Sequence, residues 1–385
     1  MTRHRFANAA VRAVVGAVAF AASASTTHAA DAAPVFLAGV DFSHGAYFEA
    51  HGKVYREGGV PTDPFVLLKR SGVNCVRLRL FTSTEEEART DPYNRANNLS
   101  YNLPLATRVK KAGLKILLDF HYSDSWADPQ QQAKPKAWEG LTFDQLEQRL
   151  YEYNRDTITA FRSAGALPDY VQVGNEITPG MLWPDGRVKG ASTTSEQWVK
   201  LARLLKSAER GIREAAGTQM PKVMIHIDRG GDWATTKMFF DHLREQNVPF
   251  DMIGESYYPF WHGNLGALRT CLDNAAERYG VPVVIAETDF PSIEKDASGK
   301  PLDPIVGIAP GRDGQVQFSR ALKAILDGVP GGRGQGMFWW AAEYLPLPGV
   351  NLAGFDDRSC FDHDGNVLPV LGELGGYSTE KRPGK

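Results

Sequence analysis

Only three cysteines, Cys75, Cys271 and Cys360, occur in 385 residues. Three are too few for a disulfide framework, and no Cys or His pair has the spacing of a zinc site. One bridge can still form, with Cys271–Cys360 the candidate pair. An excess of charge is also lacking: 43 Lys plus Arg stand against 45 Asp plus Glu, a formal net charge of −2. The chain therefore carries no basic footprint for nucleic acid and no acidic solvating tail. Beyond the first thirty residues no apolar run approaches the ~18 residues of a membrane span. No linker rich in Pro, Ser or Thr, no charge block and no low-complexity tract marks a boundary between domains.

What is present begins with a leader. Arg3, His4, Arg5 and Arg12 make a basic start, 13–22 is an apolar run, and small residues follow. This pattern predicts a secretory signal peptide over residues 1–30, cleaved near Thr27-His28-Ala29 or His28-Ala29-Ala30, and an extracellular or periplasmic protein. The remainder is 31–385; the whole chain is 43% apolar, enough for a large core.

Within it one pattern recurs: a short apolar run, a polar and aromatic loop, then a helical stretch. The runs are 36–43, 75–80, 115–122, 170–177, 222–227, 252–259, 282–288 and 336–343. Their near-continuous apolar character suits parallel strands covered on both faces. Between them, Thr62-Asp63-Pro64 opens a helix that Gly72 stops, and further helices are expected over 143–163, 195–216, 232–246, 266–279 and 315–327. Eight strands alternating with helices predict a single α/β domain, a (β/α)8 TIM barrel with long βα loops. A doubly wound sheet would need a glycine-rich phosphate loop after its first strand, and Gly39-Val40-Asp41 is not one.

In such a barrel, chemistry sits at the C-terminal ends of the strands. Here every run carries polar groups toward that end: Asp41, Arg77 and Arg79, Asp119 and His121, Asn175-Glu176, His226 and Asp228, Glu255 to Tyr258, Glu287-Thr288-Asp289, and Trp339-Trp340. Each alone reads as a strand-end ion pair; together they read as a site, because unpaired polar groups in strands are costly. Glu176 and Glu287 close the fourth and seventh runs. Two facing carboxyl groups are the equipment of glycoside hydrolysis, one as acid and base, the other as nucleophile. Arg79 and Tyr257 are the expected partners that keep the nucleophile ionised. Seven of the eight Trp, including Trp126, Trp183, Trp261 and Trp340, fall on the presumed catalytic face, where flat rings stack on sugar C–H faces; the alternative is that they pin long loops.

These residues lie in longer motifs. They include Gly39-Val40-Asp41, 72–79 (GVNCVRLR), 117–129 (LLDFHYSDSWADP), 171–184 (VQVGNEITPGMLWP), 256–263 (SYYPFWHG), Ala286-Glu287-Thr288 and 361–369 (FDHDGNVLP). In them the chain resembles glycoside hydrolase family 53, the arabinogalactan endo-β-1,4-galactanases, from about residue 37 to 370. The resemblance implies a retaining enzyme acting on β-1,4-galactan or arabinogalactan, with no cofactor for catalysis. It assigns Glu176 as acid/base and Glu287 as nucleophile, and Asn175 as partner of the sugar 2-hydroxyl. Around the cleaved sugar it places Arg79 or Arg77, His121, Tyr257 and Trp340; Asp41 and His226, at their own strand ends, are further candidate binding residues. Bacterial members of that family can hold a calcium ion near the last two strands; Asp356, Asp357, Asp362 and Asp364 are oxygen donors in that stretch, in a pattern that carries no ligand set over to this chain. The chain departs from the family pattern after Asp41 (Phe42-Ser43-His44-Gly45), after Glu287 (Asp289) and after Trp340 (Ala341-Ala342-Glu343). Three other readings share some of these features: a mannanase or cellulase of the same clan, a catalytically silent carbohydrate-binding barrel, and a metal-dependent hydrolase built on His121 and His226.

Overall fold

The computed structural model describes residues 1–2 and 35–378, so the expected signal peptide lies, but for its first two residues, outside the described part. Eight parallel strands form a closed barrel: β1 (Leu37–Asp41), β2 (Cys75–Leu80), β3 (Lys115–Phe120), β4 (Tyr170–Val173), β5 (Lys222–Ile227), β6 (Met252–Ser256), β7 (Val283–Thr288) and β8 (Gly334–Trp339). Each pairs with the next, and β8 closes on β1. The principal helices between and after them are α1 (Pro64–Arg70), α2 (Leu99–Lys111), α3 (Phe143–Ser163), α4 (Ser195–Ala216), α5 (Trp233–Glu245), α6 (Leu265–Tyr279), α7 (Arg312–Gly328) and α8 (Pro369–Gly376). None among the described residues is long and apolar enough to cross a membrane.

Local chemistry sets these boundaries. Asp63 accepts from the amides of Phe65 and Val66, and Pro64 occupies the first turn, so α1 starts there. Thr142 with Gln145, and Thr194 with Gln197, form capping boxes that open α3 and α4. The expected helices are all present, but α2 escaped the sequence pattern because Pro104 lies inside it, where proline removes a helical donor. Several strands end before their apolar runs do. Tyr122, Glu176 and Ala341 have φ of 50°, 49° and 52°, a left-handed backbone that takes the chain out of the ladder at the barrel mouth.

Alternation sorts the barrel interior into layers. Leu37, Cys75, Leu117, Met224, Met252, Val284, Ala286 and Phe338 form an apolar cluster inside the barrel. Gly39 is required beside it, since a Cβ there would lie 2.2 Å from the Phe338 ring. Toward the mouth the same inward positions become polar: Asp41, Arg77, Asp119, Gln172, His226 and Ser256, each at most 1% exposed. The outward positions pack against the helices in the main core. All three cysteines are free, buried thiols, so the Cys271–Cys360 bridge is not made. Cys271 on α6 instead lies against the Thr236 hydroxyl of α5, 3.4 Å away.

Candidate active site

Arg77 is the centre of the polar layer. It is completely buried. Its Nη1 donates to Asp41 (2.9 Å) and its Nε to Gln172 (3.2 Å). Its Nη2 lies 2.7 Å from Asp119, 2.8 Å from Asn175 Oδ1 and 2.7 Å from Glu287 Oε1. Burial works against its charge, and Asp119, Glu287 and Asp41 outweigh that, holding the guanidinium protonated.

Glu287 reaches this centre through a break in alternation. Val284 and Ala286 already face the interior, so an unbroken β7 would turn Glu287 outward. The register slips against β6 between Glu255 and Ser256, and against β8 between Ile285 and Thr288. This irregularity swings the carboxylate inward, as bulges beside active sites do. Its Oε2 accepts from the Tyr258 hydroxyl at 2.9 Å. Burial pushes Glu287 up to about 7, against the pull of Arg77 and the Tyr258 hydrogen bond.

Glu176 stands opposite, beyond β4, on left-handed backbone of the strained kind that collects at functional sites. Its Oε1 accepts from Ser256 Oγ at 2.6 Å. Ser256 Oγ is also 2.9 Å from His226 Nε2. The serine proton is spent on Glu176, so His226 must carry its own on Nε2 and accept at Nδ1 from Gln172, 2.8 Å away. Burial and then Arg77 hold this imidazole well below its usual range, hence neutral. Glu176 is pushed well above the carboxylate range, by burial first and then by the charges of Glu287 and Asp228. The two carboxyl groups thus differ: Glu287 faces a cation, whereas Glu176 faces a serine hydroxyl and the like charges of Glu287 and Asp228. The proton of the pair belongs on Glu176.

Oxygens of the two carboxyl groups lie within 4.8 Å of each other, with His226 inside the same limit. Among the described residues this is the only set of three or more His, Cys, Asp or Glu close enough to share a cation. It is a poor metal cradle, because both His226 nitrogens are hydrogen-bonded and Arg77 occupies the cation position at Glu287. Asp356, Asp357, Asp362 and Asp364 are not brought close enough to one another to form such a set among the described residues. Asp357 pairs with His363 (2.9 Å), while Asp362 accepts the amides of Asp364 (3.1 Å) and Asn366 (2.8 Å).

Above the pair opens a cleft of about 840 Å³. Of the residues expected at the site, Arg79, His121, Trp126, Asn175, Glu176, Trp261, Glu287 and Trp340 line it. Asp41, Arg77 and His226 lie beneath in the polar layer. Two are not brought in. Tyr257 falls on the outward face of β6, its hydroxyl donating to the Gly263 carbonyl (2.9 Å) and its ring near Phe318 of α7. Tyr258, on the inward face, takes the position beside Glu287. Trp183 donates to the Pro179 carbonyl (2.9 Å) and stacks under Arg187 (4.1 Å), outside the cleft. Trp138, Trp233 and Trp339 likewise pack loops and helices rather than line the cleft.

The two arginines exchange their expected parts. Arg77 meets Glu287, whereas Arg79 lies 4.3 Å from the Trp126 ring and 5.6 Å from Trp340 and donates to His44 Nδ1 (2.6 Å). Sequence reasoning passed over Gln172, and it counted Ser256, Tyr258 and Asp228 among the polar strand ends without giving them roles. No signal in 252–259 separates the two faces of β6, because polar residues occur on both.

A closed (β/α)8 barrel with an asymmetric carboxyl pair from strands four and seven under an aromatic cleft defines the class, a glycoside hydrolase. The sequence model of glycosyl hydrolase family 53 matches residues 37–374, and the chain belongs to that family. It is 42% identical over 351 residues to an uncharacterized protein in the bgaB 5′ region of Niallia circulans, covering 88% of this chain and 93% of that one. It is 34% identical over 348 residues to the arabinogalactan endo-β-1,4-galactanase of Thermothelomyces thermophilus, covering 86% and 97%. The GH53 catalytic domain of Ignisphaera aggregans superposes with a TM-score of 0.78 at 32% identity, covering 88% of this chain and 95% of that one.

Proposed function

We propose that this chain is an exported endo-β-1,4-galactanase that cleaves internal bonds of type I (arabino)galactan with retention of anomeric configuration. The observation that carries the mechanism is the approach of the Glu176 and Glu287 oxygens to within 4.8 Å. Retaining enzymes hold their carboxyl groups about 5–5.5 Å apart, whereas inverting ones need about 6.5–9.5 Å to admit water between carboxylate and sugar. Glu287, ionised against Arg77, attacks the anomeric carbon and forms a glycosyl ester. Glu176 gives its proton to the departing oxygen, then takes one from the water that hydrolyses the ester. Asn175 is held by Arg77 and by its own donation to the Ala127 carbonyl (2.8 Å), at the edge of the reacting sugar. Trp126, Trp340 and the 66% exposed Trp261 offer stacking surfaces. A neutral polysaccharide also suits a chain of near-zero net charge. The leader supports export, and the names of the relatives support the substrate.

The test is reducing-end release from a panel of galactan, arabinogalactan, mannan and cellulose. Preference for galactan with a spread of oligosaccharide products is expected. Preference for mannan overturns the substrate assignment.

A further inference from the structure

Asp289 follows β7 directly, two residues past Glu287, and is completely buried. A buried carboxylate requires a partner. Here it is Arg358, whose Nη1 lies 3.3 and 3.5 Å from the two Asp289 oxygens. The same guanidinium stands 4.6 Å from the centre of the Phe260 ring and 5.4 Å from that of Phe355. The Arg358 carbonyl accepts from the Trp339 indole at 2.8 Å. One arginine therefore joins the loops that follow β6, β7 and β8.

The connection bears on the cleft through Phe355. That ring meets Trp340 at 4.2 Å and an interplanar angle of 65°, and both line the cleft. Trp340 in turn lies 6.3 Å from Trp126 across the Arg79 guanidinium. On the other side Phe260 borders Trp261, 6.0 Å away at the rim. A planar guanidinium set between two rings with its end on a carboxylate is fixed in both position and orientation, which a lysine ammonium cannot reproduce.

We propose that the Asp289–Arg358 pair is a positioning clamp for the glycan: it holds Phe355 and Trp340 where they form one wall of the cleft, and so governs how tightly the polysaccharide is bound rather than how fast its bond breaks. The proposal rests on the glycan-hydrolase reading of the cleft.

Arg358→Met keeps the aliphatic stem and removes the charged plane; Asp289→Asn keeps the shape and removes the charge. Both, with Arg358→Lys, are compared with the wild type on whichever polysaccharide the wild type cleaves fastest. A wrong substrate assignment then shows in the wild type, and a wrong clamp assignment only in the variants. Arg358→Met and Asp289→Asn are expected to raise KM about tenfold with kcat within about twofold, and Arg358→Lys to restore only part of the loss. Melting temperatures are followed in parallel. A fall in Tm with unchanged KM shows a purely structural pair and overturns the proposal, as does a fall in kcat at unchanged KM. If Arg358→Met does not fold, Asp289→Asn decides by the same KM criterion.

Discussion

Arg77 Nη2 stands 2.7 Å from Glu287 Oε1, and both side chains are buried. This contact separates the roles of two otherwise similar glutamates. It gives Glu287 a fixed cation and leaves Glu176 to a serine hydroxyl and a neutral histidine. Arg77→Met should abolish most activity, because it strands Glu287 and Asp119 without their guanidinium partner and leaves Asp41 only Arg79, 3.8 Å away. Loss of one partner from a buried ion pair costs about 3–5 kcal/mol of stability. A lower Tm with kcat reduced at least about a hundredfold is expected, read by thermal melting and galactan hydrolysis. Near-normal kcat would remove Arg77 from the account.

Tyr258 and Tyr257 are neighbours with opposite fates. Tyr258→Phe removes a hydrogen bond to Glu287 and should lower kcat by about tenfold or more. Tyr257→Phe removes a bond to the Gly263 carbonyl and should cost about 1 kcal/mol of stability with kcat unchanged. The comparison of kcat in the two variants checks which face of β6 meets the substrate.

The pair also sets the pH response. Glu287 must be ionised, and it is pushed up to about 7, so activity rises as pH climbs through that value. Glu176 must keep its proton, and burial with the charges of Glu287 and Asp228 holds it well above the carboxylate range, so activity falls as that proton is lost at high pH. The profile of kcat/KM is a bell whose two limbs belong to the coupled pair. A maximum at about pH 5 or below contradicts this ordering.

Inside the barrel, Gly39→Ala would place a methyl group 2.2 Å from Phe338 Cδ1. Overpacking of this kind costs about 1–3 kcal/mol or more. Denaturant unfolding should show that loss, and an unchanged midpoint would mean that the Phe338 ring moves aside freely.

The strands were legible because burial on both faces leaves a continuous apolar run, and Glu176 and Glu287 were legible because each closes one. Three kinds of detail were not. Pro104 disguised α2, since the helix tolerates one missing donor that the pattern counts as a stop. The inward phase of β6 could not be told from 252–259 alone, where polar residues occur on both faces, so Tyr257 was placed where Tyr258 stands. The irregularity that turns Glu287 inward leaves no mark in the spacing at all; strict alternation from Ala286 would have put it outside. The tryptophans divide for a related reason. Trp183 and Trp126 both follow strand ends, but only contacts such as Arg187 stacking on Trp183 tell a loop anchor from a cleft wall.

Double displacement by two glutamates fixes which anomer is released first. Proton NMR of a digest in its first minutes should show new reducing ends as the β-anomer, with the α-anomer appearing only by mutarotation. An α-anomer at the earliest times would mean direct attack by water and would contradict Glu287 as the nucleophile.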